Sequence, residues 1–303
     1  MIHKDKIEFI KVLERASRIK GFLLPQLEKD YYLTLILSKT NEFCEELIFK
    51  GATCLSKAYY NYYRLSEDLD FTMTLPQNHV TRGKRRKCIQ PVKDKIDKFA
   101  EQFDMSIDNP DDAGHNESKQ YVYYFVYKSV LRPVNARIKF EIGLRFNTYD
   151  PVEKRHIQHV FLNPFTGKPL FDGGKIKCLS LNELVSEKLR AGALRKKIAP
   201  RDFYDIDFIL RNGFELANKK VLVLFKKKLE EDKADTDLGK YRINLGRSDE
   251  EIKDMGSRIE TELIDVLTPD ERKNFDLNIV LERINKAMAS SIKSTQEWSS
   301  PHI

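Results

Sequence analysis

Residues 136–143, ARIKFEIG, alternate without a break: Ile138, Phe140 and Ile142 against Lys139, Glu141 and Gly143. Successive side chains of a strand point to opposite faces, so this stretch reads as a strand with one buried face. DLDFTMTL (68–75) repeats the pattern, with Leu69, Phe71 and Met73 on the apolar side and Asp68 and Asp70 on the other. YVYYFVYKSV (121–130) is a further strand, and EELIFKG (45–51) ends in a short strand or a helix end. Helical stripes lie between them. Ile7, Ile10, Val12, Leu13 and Ala16 mark one over residues 5–20, and Tyr31, Leu35, Ile36 and Leu37 mark another within residues 27–43. Residues 54–62 and about 88–103 are also read as helices, the latter opened by the basic run TRGKRRK (81–87). Pro76 ends the 68–75 strand, DNPDDAGHNESKQ (108–120) is a loop, and the tail 299–303 is expected to fray. This order of helices and strands implies a mixed α/β lobe.

After FDGGKIKCLS the pattern becomes helical, with breaks near Gly213, Gly239, Gly246 and Pro269. The expected division is therefore an α/β lobe over 1–175 and a helical lobe over 176–303, which suits a chain of 303 residues. Lys and Arg exceed Asp and Glu by seven, and the pI is about 9.0, a balance that favours polyanionic partners such as RNA or nucleotides. Cys44, Cys54, Cys88 and Cys178 show no CxxC pair and are too sparse for a disulfide framework, so they read as reduced thiols. No apolar stretch approaches the ~20 residues of a membrane helix. The first residues, MIHKDKIEFIKVLERA, lack a signal core. The expectation is a soluble cytoplasmic protein with no membrane partner.

Asp68 and Asp70 share a strand face, roughly 6.6 Å apart at Cα. Such a pair is either a solvated strand face or a site for divalent cations that clamp a phosphoryl group. Gly51 precedes them, in a turn that opens a helix and exposes backbone N–H groups suited to phosphate. Thr53 and Ser56 follow Gly51, and Ser66 projects to the side of the two aspartates. Glu141 is a third carboxylate, or simply the outer face of its strand. In 179–213, Ser180 and Glu183 form a capping box that starts a helix. Lys188 falls on the apolar stripe of Leu181, Leu184 and Val185, so it either snorkels or meets an anion such as a triphosphate. Arg195 lies on roughly the same face. Pro200 opens the next helix, where Asp202 either complements the helix dipole or, with Arg201 and Asp205, holds Lys188 and Arg195. His156 and His159 read as surface residues, and DGGK (172–175) as a hairpin turn rather than a P-loop. TRGKRRK is either a solvated helix start or a contact for RNA phosphates.

Three stretches, in this order, resemble the AbiEii/AbiGii toxin family of nucleotidyltransferases. LEKDYYLTLIL (27–37) is similar to that family's EKDY helix. FKGATCLSKAYYNYYRLSEDLDF (49–71) is similar to its KGGTxLxKxY…RxSxDxD signature, and SEKLRAGALRKKIAPRDFYDI (186–206) to its KxxAxxxR…RDxxD signature. The resemblance implies an α+β, DNA polymerase β-like nucleotidyltransferase fold, a mixed sheet with flanking helices, plus a mostly helical C-terminal lobe. It implies a toxin of a type IV toxin–antitoxin or phage-abortive system that transfers NMP from an NTP to RNA, a tRNA 3′ end above all, opposed by a cognate antitoxin encoded nearby. On the matching positions, Gly51, Thr53 and Ser66 face the nucleotide phosphates. Asp68 and Asp70 hold Mg²⁺ (or Mn²⁺) with Glu141 as third ligand. Lys188, with Arg195 beside it, contacts the triphosphate, and Asp202 completes the site. Alternatives are transfer to a small-molecule or protein hydroxyl, and a non-catalytic nucleotide- or RNA-binding module. One position departs from the pattern: Ala52 stands where the family has a second glycine. If the backbone there needs positive φ, alanine costs roughly 1 kcal/mol or more.

Overall fold

Strands β1 (Leu47–Lys50), β2 (Asp68–Met73), β3 (Ser106–Ile107), β4 (Gly114–His115), β5 (Gln120–Lys128), β6 (Asn135–Gly143), β7 (Glu153–His156) and β8 (Lys175–Cys178) pair into one mixed sheet. The computed structural model describes residues 1–75, 81–144 and 148–297, with side chains to 293 in the last helix. The expected break at Pro76 and the tail 299–303 lie outside the described residues. The order across the sheet is β3-β5-β6-β2-β1-β8-β7, with β4 paired on β5. β1 runs antiparallel to β2, β2 parallel to β6, and β5 antiparallel to β6. The alternation of the sequence becomes two unlike faces. Phe49, Phe71, Phe140 and Phe125 stand on four neighbouring strands with successive ring centroids 5.3, 4.7 and 5.3 Å apart, all fully buried. On the other face, register aligns Lys50 with Asp70 and Asp70 with Glu141.

Helices α1 (Lys6–Lys20), α2 (Leu24–Phe43), α3 (Gly51–Cys54), α4 (Arg82–Lys93) and α5 (Ile96–Glu101) accompany the sheet in a unit spanning Met1–Leu179. Asp5 caps α1 by accepting from the Ile7 and Glu8 N–H groups, and Gly21 ends it at φ 74°. Four expectations need correcting. The helix read over 54–62 begins at Gly51, widens into a π turn over Leu55–Tyr59, and stops before Asn61 and Tyr62, which are left-handed at φ 43° and 63°. The helix read from 88 starts at Arg82 because Thr81 caps it, so the basic run lies inside α4. His159 is half-buried rather than a free surface residue: its ring stacks on Phe171 at 4.2 Å and its Nε2 lies 2.6 Å from the Phe171 carbonyl oxygen. His156, by contrast, is exposed and pairs with Asp172. DGGK is not a tight hairpin turn, since it closes a long excursion between β7 and β8. Gly173 and Gly174 are needed there because a Cβ would lie 2.0 Å from the Ile157 carbonyl oxygen and 2.7 Å from that of Ser38.

The unit Ser180–Ile303 is built, over its described residues, of helices α6 (Leu181–Leu194), α7 (Pro200–Arg211), α8 (Lys219–Glu231), α9 (Asp249–Ser257), α10 (Ile259–Glu262), α11 (Pro269–Asn274) and α12 (Leu277–Glu297). Pro200 and Pro269 occupy first turns, where proline is tolerated, so Pro269 opens a helix rather than breaking one. Gly213, at φ 83°, follows the end of α7 as the sequence implied. Among the described residues no helix is long and apolar enough to cross a membrane, and all four cysteines are free thiols.

Candidate active site

β1 ends at Lys50, and the chain turns at Gly51 into α3. Gly51 has φ +76°, and a Cβ there would sit 2.5 Å from Asp70 Oδ2. Both facts demand glycine, one through backbone sterics and one through the close approach of the acid. Ala52 is absent from the positive-φ positions, so alanine in place of the family's second glycine is unstrained. No side chain caps the first turn of α3. Thr53 is buried, and its hydroxyl donates to the Asp68 carbonyl oxygen, tying the turn to the start of β2. That side chain is therefore engaged with backbone. Ser66 is half-buried, and among the described residues its hydroxyl has no hydrogen-bond partner.

Asp68 is exposed at the first position of β2, and Asp70 is half-buried two residues on. Burial pushes the Asp70 carboxyl up to about 6, Glu141 adds to the rise, and Lys50 opposes it. The parallel register sets Asp70 opposite Glu141 and Asp68 opposite Lys139. Glu141 is held in turn: Lys139 Nζ donates to it at 2.5 Å and Gln120 Nε2 at 2.7 Å. Burial works against the Lys139 charge, but the bond to Glu141 and the nearby acids hold its pKa above the ordinary value. Among the described residues no three His, Cys, Asp or Glu side chains are gathered in metal-binding geometry. The donor set nevertheless fits a hard divalent cation. All its ligating atoms would be carboxylate oxygens, and Asp70, whose charge is opposed first by burial and then by Glu141 opposite it, is a group whose ionised form such a cation would favour. Lys50, Lys139 and Gln120 escaped the sequence reading because they become neighbours only through strand pairing.

The motif residues Asp30 and Lys57 form a buried cluster with Tyr62. Lys57 Nζ lies 2.7 Å from Asp30 Oδ1 and 2.8 Å from Thr34 Oγ1, and it also contacts the Tyr62 hydroxyl. Tyr62 donates to Asp30 at 2.9 Å. With Thr53 bonded to Asp68 and Ser56 bonded to the Arg64 carbonyl, three nested links (53–68, 56–64 and 57–62) close the segment between the glycine turn and β2. This network holds the π turn and the two left-handed residues, conformations that need surrounding support.

In the C-terminal unit, Lys188 is buried, with Nζ 2.8 Å from Asp202 Oδ1 and 2.7 Å from Asp205 Oδ2. Arg195 Nη1 lies 2.9 Å from Asp202 Oδ2. The inward lysine thus meets an anion, and that anion is a pair of carboxylates from α7. Arg201 takes no part: among the described residues it has no ion pair or hydrogen bond. Ser180 caps α6 by accepting from Glu183 N–H, while the Glu183 carboxylate pairs with buried Lys228 at 3.0 Å. The predicted residues therefore form two sets, one in each unit: Gly51, Thr53, Ser66, Asp68, Asp70 and Glu141 in the first, and Lys188, Arg195 and Asp202 in the second.

A glycine turn, two aspartates one pleat apart and a glutamate on the parallel neighbour strand, all on a mixed sheet with flanking helices, mark a DNA polymerase β-like nucleotidyltransferase. A family model described as nucleotidyl transferase AbiEii toxin, type IV TA system, matches residues 35–296. The chain belongs to that family, and is thereby a nucleotidyltransferase of the toxin–antitoxin kind, with an NTP as substrate and an antitoxin as counterpart. Its fold is similar to MenT4, the nucleotidyltransferase toxin Rv2826c from Mycobacterium tuberculosis H37Rv, with TM-score 0.61 and 17% identity, covering 95% of this chain and 92% of that one. It is also similar to JHP933 from Helicobacter pylori, with TM-score 0.52 and 15% identity, covering 92% and 96%. A comparison with curated proteins finds no match.

Proposed function

We propose that the chain transfers a nucleoside monophosphate from an NTP to RNA, the 3′ end of tRNA being the acceptor, as a cytoplasmic toxin of a phage-defence system restrained by its antitoxin. The observation that carries this reading is the strand register that sets Asp70 against Glu141, with Asp68 one pleat away. Asp68, Asp70 and Glu141 would hold Mg²⁺ or Mn²⁺, which when bound supplies positive charge at the reacting phosphate. The remaining work falls to the chain. The uncapped first turn at Gly51 and the Ser66 hydroxyl orient the NTP phosphates. Glu141, already hydrogen-bonded to Lys139 and Gln120, accepts the proton of the acceptor hydroxyl as that oxygen attacks the α-phosphate and pyrophosphate leaves. On the family motif, Lys188 and Arg195 are assigned to the triphosphate as counter-charge, with Asp202 and Asp205 holding them in its absence.

Incubation with each of four α-labelled NTPs, a divalent cation and total tRNA tests the acceptor. The proposal expects label on RNA that is sensitive to ribonuclease. Label that appears equally in ribonuclease-treated extract, on protein or on a small molecule, contradicts the RNA acceptor while leaving the transfer chemistry standing. Calorimetry that detects no cation-dependent NTP binding contradicts catalysis and favours a non-catalytic module.

A further inference from the structure

We propose that the exposed face of α4 docks the sugar–phosphate backbone of the acceptor RNA; this rests on the RNA reading above. Residues 82–98 hold eight Lys or Arg against Asp94 and Asp97, a net +6 within a chain total of +7. Most of the basic residues of α6 and the turn after it are matched by acids. Lys188, Arg190, Arg195 and Lys197 each lie against a carboxylate. On α4, Arg82, Lys84, Arg86, Lys87 and Lys93 are exposed, and among the described residues none of the five has a carboxylate within ion-pair distance. Spacing arranges them in two rows on the exposed side: Arg82 and Arg86 are one turn apart with Lys93 two turns further on, and Lys84 and Lys87 are three residues apart.

Their placement opposes local stability. α4 has no acidic residue in its first turn and instead carries Arg82 and Lys84 at its positive end, where the helix dipole repels cations. A phosphate at that end offsets both the dipole and the side chains. The helix is also fixed to the carboxylate site. Buried Arg85 donates through Nη2 to the Glu117 carbonyl oxygen at 3.0 Å, and Gln120, three residues on, donates to Glu141. The cationic face and the strand carboxylates thus belong to one connected piece of the N-terminal unit.

The test is fluorescence anisotropy on the full chain with a labelled tRNA, from about 50 to about 200 mM salt. Polyglutamate serves as a stand-in for an acidic protein. The variants are R82Q/K84Q/R86Q/K87Q and the charge reversal R82E/K84E/R86E/K87E, with Lys93→Gln as a milder change. The quadruple Gln variant is expected to bind RNA about tenfold more weakly, with the slope of log K against log salt flatter by about 2–4, since each lost phosphate contact removes about 0.7–0.9. In the transfer reaction, KM rises for RNA and stays within about twofold for NTP. Equal RNA affinity and an equal salt slope in all variants overturn the proposal. Loss of polyglutamate binding with RNA binding retained also overturns it, and assigns the face to an acidic protein. A wild type that binds RNA through α4 but labels none of it refutes the RNA acceptor and supports the docking face. A wild type that labels RNA as well as every variant does refutes only the face.

Discussion

At the scale of single residues, the strongest constraint is the meeting of Gly51 and Asp70. A methyl group on Gly51 would press on Asp70 Oδ2 and force a left-handed alanine. Gly51→Ala is expected to cost about 1–2 kcal/mol of stability by urea melts and to abolish transfer. Ala52→Gly, at an unstrained helical position, should keep activity and lose up to about 1 kcal/mol. Asp70 carries a second prediction. Its carboxyl titrates at about 6 in the native protein against 3.8 for the free side chain. Native protein therefore binds the proton more tightly than unfolded chain, and stability without divalent cation falls as pH rises from 3.8 to about 6. Above that the deficit is complete, on the order of 3 kcal/mol. Asp70→Asn should raise stability at pH 7.5 by about that amount while removing transfer. Asp68→Asn, on an exposed side chain, should leave stability within about 0.5 kcal/mol. A melt in which Asp70→Asn is destabilising contradicts this account of the site.

At the scale of elements, the segment from Gly51 to Asp70 depends on a buried ion pair. Lys57 and Asp30 are 1% and 2% exposed, which makes removal of one partner costly. Lys57→Met should destabilise by about 3–5 kcal/mol, and the double variant with Asp30→Leu should recover much of that, because no buried charge is left alone. Lys57→Arg should keep partial activity. Full transfer by the double variant would contradict a positioning role for the pair. The sequence made the elements themselves legible. Alternation at 136–143 and 68–73 placed β6 and β2, and Pro200 with Gly213 bounded α7. It did not reveal the π turn or left-handed Asn61 and Tyr62, because a long-range contact with Asp30 holds them and local propensity does not. The helix start at Arg82 was hidden for a related reason: a cationic first turn contradicts the usual dipole rule, so the basic run looked like a lead-in.

At the scale of the whole molecule, the family was readable because its signatures are local in sequence, packed into 11, 23 and 21 residues. The electrostatics of the site were not. Asp68 and Asp70 could be nominated from spacing, but Lys139 and Gln120 reach Glu141 only once β2, β5 and β6 have found their register. Lys188 was recognisable as a lysine out of place on an apolar stripe, but its partners on α7 come from tertiary packing. Within each unit, acids and cations are held together on rigid elements. The central claim is that the carboxylates of β2 carry the transfer of NMP. Release of pyrophosphate from NTP in the presence of Mg²⁺ and tRNA, measured for wild type and Asp68→Ala, tests it most directly. The account predicts release by wild type and a loss of at least about a hundredfold in the variant, whose fold survives because Asp68 is exposed. Equal release by the two proteins, or none by wild type, would contradict it.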